Sequence, residues 1–419
     1  MSIIPVALRR PVVARDTSEH HRVATPLELL FDLVFVVAVA SNAAELHHGL
    51  SAAHYGTVGG YLMAFFAIWW AWMNYTWFAS AYDNDDVVFR LLTFVIMSGA
   101  LFLAAGVPDL FADGSSVTAV TGYAVMRFGM VGLWLRAAAG HPERRRTALW
   151  YAGGIAVVQV LWIARLWAPE AWWVPTFLLL VVAELLVPVL AERTHGYTPF
   201  HPHHIVERYG LLAIIVLGEV ILSSVQAVQG VMAAHEDTAA SGGHVAPYAA
   251  EPGGGAAALS GGMAPLVLGG LLIVFALWWT YFSRDHVRAI EEGGRSVWVF
   301  GYGHYLVFAG IAAVGSAIAA AVDVVQGDAE AGTRPVALAL ALSLGVVALT
   351  LSALHALGDH ESARTMVPAV AATAACLVVA LVVPSMGTAV LLMGLVLATL
   401  VAHRVWSTRG ALDGAEAVR

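Results

Sequence analysis

The sequence predicts an all-α polytopic membrane protein of about twelve transmembrane helices, arranged as two parallel six-helix repeats. Three observations carry that reading. Of the 419 residues, 59% are apolar and only 12% are Asp, Glu, Lys or Arg, about half the charge of an ordinary soluble domain. The mean hydropathy of +0.76 needs many apolar segments, which excludes a soluble enzyme with one anchor. Features of the first half also recur, in order, in the second.

The spans follow from apolar runs long enough to cross a hydrocarbon core of ~30 Å. Span one (26–46) comes after Arg9, Arg10 and Arg15 and contains Glu28 and Asp32, unlike the apolar region of a cleaved leader, so it reads as a retained helix. Span two (57–79) is rich in Trp, span three (87–107) opens at Arg90, and span four (116–138) holds Arg127. Span five (147–165) follows an Arg cluster at 144–146, and span six (171–191) contains Glu184. Span seven (204–228) carries Glu207, Arg208 and Glu219, with Gly210 and Gly218 admitting a close neighbour. Span eight (264–283) ends in LWWTYF and span nine (297–322) holds His304. Spans ten (335–357), eleven (366–384) and twelve (387–403) are apolar with little else to mark them. Cys376 in span eleven is the sole cysteine, so neither an intrachain disulfide nor a Cys-based zinc site can be built.

The organisation expected is an N-terminal segment (1–25), a first six-helix half (26–191), a connection (192–203), a second half (204–403) and a tail (404–419). The Gly/Ala-rich stretch 229–263 lacks apolar periodicity and is expected to be an external linker without fixed structure. All 21 basic residues are Arg, and nearly all fall in loops on the side of the N-terminus; only Arg165 and Arg334 fall opposite. The positive-inside rule then puts both termini in the cytoplasm, and the absence of Lys with abundant Ala, Gly and Val is what a GC-rich bacterial genome would produce, so the bacterial cytoplasmic membrane is the expected location. By that topology DNDD at 83–86 is an acidic cytoplasmic mouth or a solvated turn.

The repeat pairs Glu28 with Glu207 at the entrances of spans one and seven, Trp72 and Tyr75 with Trp278 and Tyr281, and Arg90 with His304. Asp83 and Asp285 follow the two aromatic pairs. Six spans is an even number, so the halves should share one orientation about an axis along the membrane normal.

Charged side chains in a bilayer cost at least ~2.5–3.5 kcal/mol each, so they persist where they pair, line a wet cavity or have a function. Candidate ion- or substrate-binding residues are Glu28, Asp32, Glu207, Arg208, Glu219, Arg90, Arg127, His204 and His304. Glu28 and Asp32 are four apart and share a helix face. Arg208 and Glu219 share a stripe, which places Glu219 near mid-membrane and Arg208 at the cytoplasmic mouth. Glu219 either exchanges a coupling proton or cements the bundle through a partner such as Arg127. Trp70, Trp72, Trp278, Trp279 and Tyr281 are pathway candidates, although interface-belt residues would duplicate equally well.

The run TPFHPHHIVER brings His201, His203 and His204 near Glu207, but without the spacing of a helical zinc motif, so no metal is expected. A capping or proton-relay contact between His204 and Glu207 fits better. The net charge of −8 offers no general basic surface for nucleic acid. No nucleophile motif, nucleotide loop or metal motif supports an enzyme, and no cofactor is expected. The partners expected are the lipid bilayer and a small solute or ion; a homo-oligomer stays open.

TPLELLFDLVFVVAVA and HIVERYGLLAIIVLGEVI resemble the two signatures of the bacterial low temperature requirement protein A (LtrA) family, and WFASAYDNDD and LWWTYF fit the same pattern. Carried over position by position, the signature residues are Glu28, Phe31, Asp32, Phe35, His204, Glu207, Arg208, Gly218 and Glu219. The family name records a growth phenotype and implies no substrate or reaction. The expected function is proton- or cation-coupled transport of a small solute. An ion channel, or a regulatory or structural membrane protein without transport, are the alternatives.

Overall fold

The computed structural model describes residues 7–15, 19, 22–114, 116–240, 262–284, 286–291, 293–356 and 362–416. Among these there is no strand, and the helices are α1 (Pro26–Ser51), α2 (Thr57–Tyr82), α3 (Val87–Ala105), α4 (Val107–Asp113), α5 (Val117–Gly140), α6 (Arg145–Ala164), α7 (Trp173–His195), α8 (Pro202–Ala240), α9 (Met263–Phe282), α10 (Val287–Glu291), α11 (Arg295–Gln326), α12 (Thr333–Ala356), α13 (Ser362–Val382) and α14 (Met386–Glu416). Nine stretches among the described residues are long and apolar enough to cross a membrane, those of α1, α3, α6, α7, α9, α11, α12, α13 and α14. Helices α2 and α5 stand where spans two and four are predicted, and Trp, Tyr and Gly together with Arg127 lower their mean hydropathy. Helix α8 stands at span seven.

One expectation fails. Helix α8 runs on to Ala240, so 229–240 of the supposed linker is helical. Its Ala-rich sequence has a high intrinsic helix propensity, which does not need an apolar stripe. Residues 241–261 and Asp285 lie outside the described residues.

The chain packs as two compact units, Met1–Asn42 with Gly59–Ile215, and Ala43–Val58 with Val216–Arg419. In the first, α3 lies on α5, α5 on α6 and α6 on α7. Glycine permits the closest of these: a methyl group at Gly99 would sit 2.6 Å from the carbonyl oxygen of Gly122 across the α3–α5 seam. In the second unit α9 runs along α14, with Gly394 against Gly269, and α11, α12 and α13 pack in succession.

Asp86 is more than part of a solvated turn. It caps α3 by accepting the N–H of Phe89 at 2.7 Å, and it accepts the backbone N–H of Arg10 at 2.7 Å and Nη2 of Arg136 at 2.5 Å. Burial alone would raise this carboxyl, but these donors hold it below its ordinary range. The same turn places Asp83, 6% exposed, where burial and the Glu28 carboxylate push it up to about 6 from 3.8. The folded chain therefore holds the Asp83 proton more tightly than the unfolded chain. That contribution to stability is present below about pH 4 and lost as pH rises through about 6. Asp83→Asn, which can still accept the N–H of Asp85, should stabilise the protein by up to ~2–3 kcal/mol at pH 8 and by less at pH 5. Melting temperatures at the two pH values test this, and an equal or reversed gain would refute it.

Candidate functional site

Two helix openings of the same design build the site. Thr25 caps α1, Pro26 occupies the first helical position where its missing N–H costs nothing, and Glu28 reaches back. The Thr25 N–H donates to Glu28 Oε2 at 2.8 Å while the Glu28 N–H contacts Thr25 Oγ1 at 3.3 Å, a reciprocal capping box. At α8, His201 stands where Thr25 does and Pro202 follows, with the N–H of His204 directed to His201 Nδ1 at 3.4 Å. One turn further, Asp32 follows Glu28 and Arg208 follows His204. An acid pair on one face thus meets a basic pair on another.

The two faces form a ladder. At the first rung His204 Nε2 lies 3.2 Å from Glu28 Oε1 and 3.3 Å from Oε2. At the second, the Arg208 guanidinium forks onto Asp32, Nε to Oδ2 at 3.1 Å and Nη2 to Oδ1 at 2.5 Å. Arg208 Nη1 also reaches Glu28 Oε1 at 3.0 Å and ties the rungs together. Both contacts join residues 176 apart in the chain and advance in the same direction, so α1 and α8 run parallel here.

All four ladder side chains are fully buried. This corrects the expectation for Arg208, which is enclosed by protein and not open at a mouth. The fork and the second carboxylate compensate the guanidinium, which is what allows it inside.

The two rungs differ in character. Asp32 is fixed by three directed hydrogen bonds, the third from Trp72 Nε1 at 2.7 Å, and Trp72 packs edge-on against Tyr209. Glu28 Oε1 faces Arg208, His204 and, at 3.8 Å, Arg22, yet no aligned donor satisfies it. His204 Nδ1 is buried without a hydrogen-bond partner. Arg22 closes the site by donating to the carbonyls of Ser80 and Ala79 at the end of α2. Burial lowers this guanidinium to about 10, so it stays charged at neutral pH. Phe31 stacks on Tyr75 with ring centroids 3.8 Å apart and seals one side.

The remaining sequence candidates fall elsewhere. Glu207, the proposed repeat mate of Glu28, is off the facing stripe, and its Oε1 accepts the N–H of Ala24 at 3.3 Å; His204 contacts Glu28 in place of Glu207. Glu219, three turns further along α8, is half-buried. The partner of Arg127 is Glu184, at 3.3 Å, in a second buried cluster where Tyr123, Trp70 and Trp162 donate to the same carboxylate. Arg90 is half-exposed and pairs with Asp85 at 2.8 Å. His304 is buried, with Nε2 3.1 Å from the Tyr281 hydroxyl and Nδ1 2.7 Å from the Phe300 carbonyl oxygen. Trp278 and Trp279 are about half exposed, whereas Trp70 and Trp72 are buried. No group of three or more His, Cys, Asp or Glu suited to a metal ion occurs among the described residues.

The family model described as bacterial low temperature requirement A protein (LtrA) matches residues 23–402. A protein of Rhizobium meliloti (strain 1021), named there only as uncharacterized, is 24% identical over 313 residues, covering 71% of this chain and 69% of its own. No solved structure matches.

Proposed function

The chain belongs to the bacterial low temperature requirement A family, and from that premise we propose that it is a proton-coupled membrane transporter of a small solute, with the α1–α8 ladder as its coupling element. The observation that supports this reading is the asymmetry of the ladder. Asp32 accepts three directed hydrogen bonds, two of them from the Arg208 fork, while Glu28 Oε1 and His204 Nδ1 keep hydrogen-bonding capacity unspent. With His204 neutral, the carboxylates of Glu28 and Asp32 balance the guanidiniums of Arg208 and Arg22. One proton entering at Glu28 or His204 leaves the cluster net positive, and in a low-dielectric interior the inexpensive response is to part an ion pair. Parting the Glu28 rung would free the opening of α8 from that of α1.

The reading takes α2, α5 and α8 as spans beside the nine, making twelve in two parallel six-helix repeats. It is supported by the like openings of α1 and α8 and by a shared packing pattern. In the first unit α2 meets α7 through Trp70 and Glu184, and in the second α9 meets α14. Both termini then lie in the cytoplasm of a bacterial cell, in agreement with the Arg distribution. A reporter fused after Arg419 should work only as a cytoplasmic probe, and one inserted near Gly254 only as an external probe. The inverse pattern would defeat the twelve-span reading.

No enzymatic step, cofactor, nucleic acid or metal enters this function. Turnover that saturates with solute and follows an imposed proton gradient tests it in proteoliposomes.

A further inference from the structure

The first unit holds a second buried polar cluster that the ladder does not use. Glu184, near the middle of α7, accepts from the Tyr123 hydroxyl at 2.9 Å and Trp162 Nε1 at 3.3 Å on one oxygen, and from Trp70 Nε1 at 2.9 Å on the other. Arg127 of α5 meets this carboxylate with Nη2 alone, at 3.3 Å, and the same nitrogen donates to the Tyr123 hydroxyl. Its Nε and Nη1 are buried without a hydrogen-bond partner, on a side chain 1% exposed.

Gln159 of α6 is in the same condition. It is 8% exposed, and neither Oε1 nor Nε2 has a partner. Tyr123 against Trp162 and Trp134 stacked on Tyr151 fix one antiparallel register of α5 on α6, which brings Arg127 level with Val158 and Gln159. Gln159 also precedes Trp162 by three residues and so shares the face of α6 that reaches Glu184. Two buried side chains with unspent capacity thus stand at one level of the interior. Buried polar groups without partners are costly, and a molecule that supplies the missing bonds recovers that cost on binding.

The groups present define the ligand. Unspent donors outnumber acceptors, because Arg127 offers Nε–H and Nη1–H and Gln159 offers Nε2–H, against the single oxygen of Gln159. The ligand must therefore bring an oxygen acceptor. Arg127 is already neutralised by Glu184, so a carboxylate or phosphate would set an unbalanced negative charge beside Glu184, and an ammonium an unbalanced positive charge beside Arg127. A neutral group with a carbonyl oxygen next to an N–H meets every condition. Its oxygen accepts from Arg127 and Gln159 Nε2, and its N–H donates to Gln159 Oε1.

We propose that Arg127 and Gln159 form a binding site inside the first unit for a small uncharged solute of the amide class, such as a carboxamide, urea or lactam. Binding there needs no proton gradient, so the site is independent of the ladder and of coupling.

The test uses the purified full-length protein in detergent. Benzamide, benzoate and benzylamine, one shape in three charge states, are titrated with acetamide as a smaller amide, and binding is read by saturation-transfer NMR on wild type, Gln159→Leu and Arg127→Lys. The expected result is saturable binding of at least one amide, with benzoate and benzylamine weaker by roughly ten-fold or more. Gln159→Leu should weaken amide binding by a similar factor while the melting temperature holds or rises, because it removes an unsatisfied buried amide; a merely structural Gln159 would lower it. Arg127→Lys keeps a charge opposite Glu184 but loses Nε–H and Nη1–H, and should weaken amide binding too. Should both variants fail to fold, amide-dependent density between Arg127 and Gln159 in the wild-type protein decides. Amide binding without proton-driven uptake would defeat the transport reading and leave this site intact. Binding of neither amide, amide binding unchanged in the folded variants, or charged probes binding as well as benzamide overturns the proposal.

Discussion

Arg208→Gln should abolish the folded protein rather than merely slow it. The substitution leaves Glu28 and Asp32 buried at 0% exposure, with only Arg22, at 3.8 Å from Glu28, for a counter-charge. Removing one partner of a buried ion pair costs ~3–5 kcal/mol, a large part of the stability of a typical domain. The Gln variant should therefore elute as aggregate in size-exclusion chromatography. Arg208→Lys should recover part of the loss, because a point charge replaces the fork on Asp32. Pairing Arg208→Gln with Asp32→Asn should recover more, since the unpaired carboxylate disappears with its partner. A monodisperse Arg208→Gln protein with an unchanged melting temperature would show that the ladder bears no structural weight.

Glu28→Gln should have the largest effect on function with the smallest effect on folding. The amide oxygen can still accept the N–H of Thr25 and keep the capping box, and Asp32 still neutralises Arg208, so the stability cost should stay below that of Arg208→Gln. What the variant cannot do is change charge. Solute-driven proton movement should fall to the level of empty liposomes, while binding and folding persist. Glu219→Gln is the companion measurement, because Glu219 is half-buried on the same helix and carries the other carboxylate open to a coupling role. Loss of coupling in Glu219→Gln together with normal coupling in Glu28→Gln would move the coupling site along α8.

Much of this site was legible in the sequence. Glu28 and Asp32 at i,i+4, and His204 and Arg208 at the same spacing, follow from helical periodicity alone. Thr25-Pro26-Leu27-Glu28 also has the spacing of a capping box, a signal that the reading by apolar runs passes over. The register between the helices was not legible. Matching Glu28 to Glu207 by residue type leads three positions away from His204, because the facing positions carry opposite charge and do not look alike. Arg208 was misplaced for a related reason: loop arginines report sidedness, but a guanidinium forked onto a carboxylate can lie deep inside. The Arg127–Glu184 pairing and the capping by Asp86 are tertiary facts that no local pattern encodes. In contrast, the positions of the long helices follow directly from the apolar runs, which is where burial in lipid or protein leaves the sequence least freedom.

The most direct test of proton coupling through the ladder is a solute-jump recording on proteoliposomes adsorbed to a solid-supported membrane, with wild type and Glu28→Gln compared at several pH values across a panel of small solutes. The account predicts a saturable current for at least one solute class in the wild type, scaling with the proton gradient and absent in Glu28→Gln. Ohmic single-channel currents in a planar bilayer without added solute, unaffected by Glu28→Gln, would contradict it.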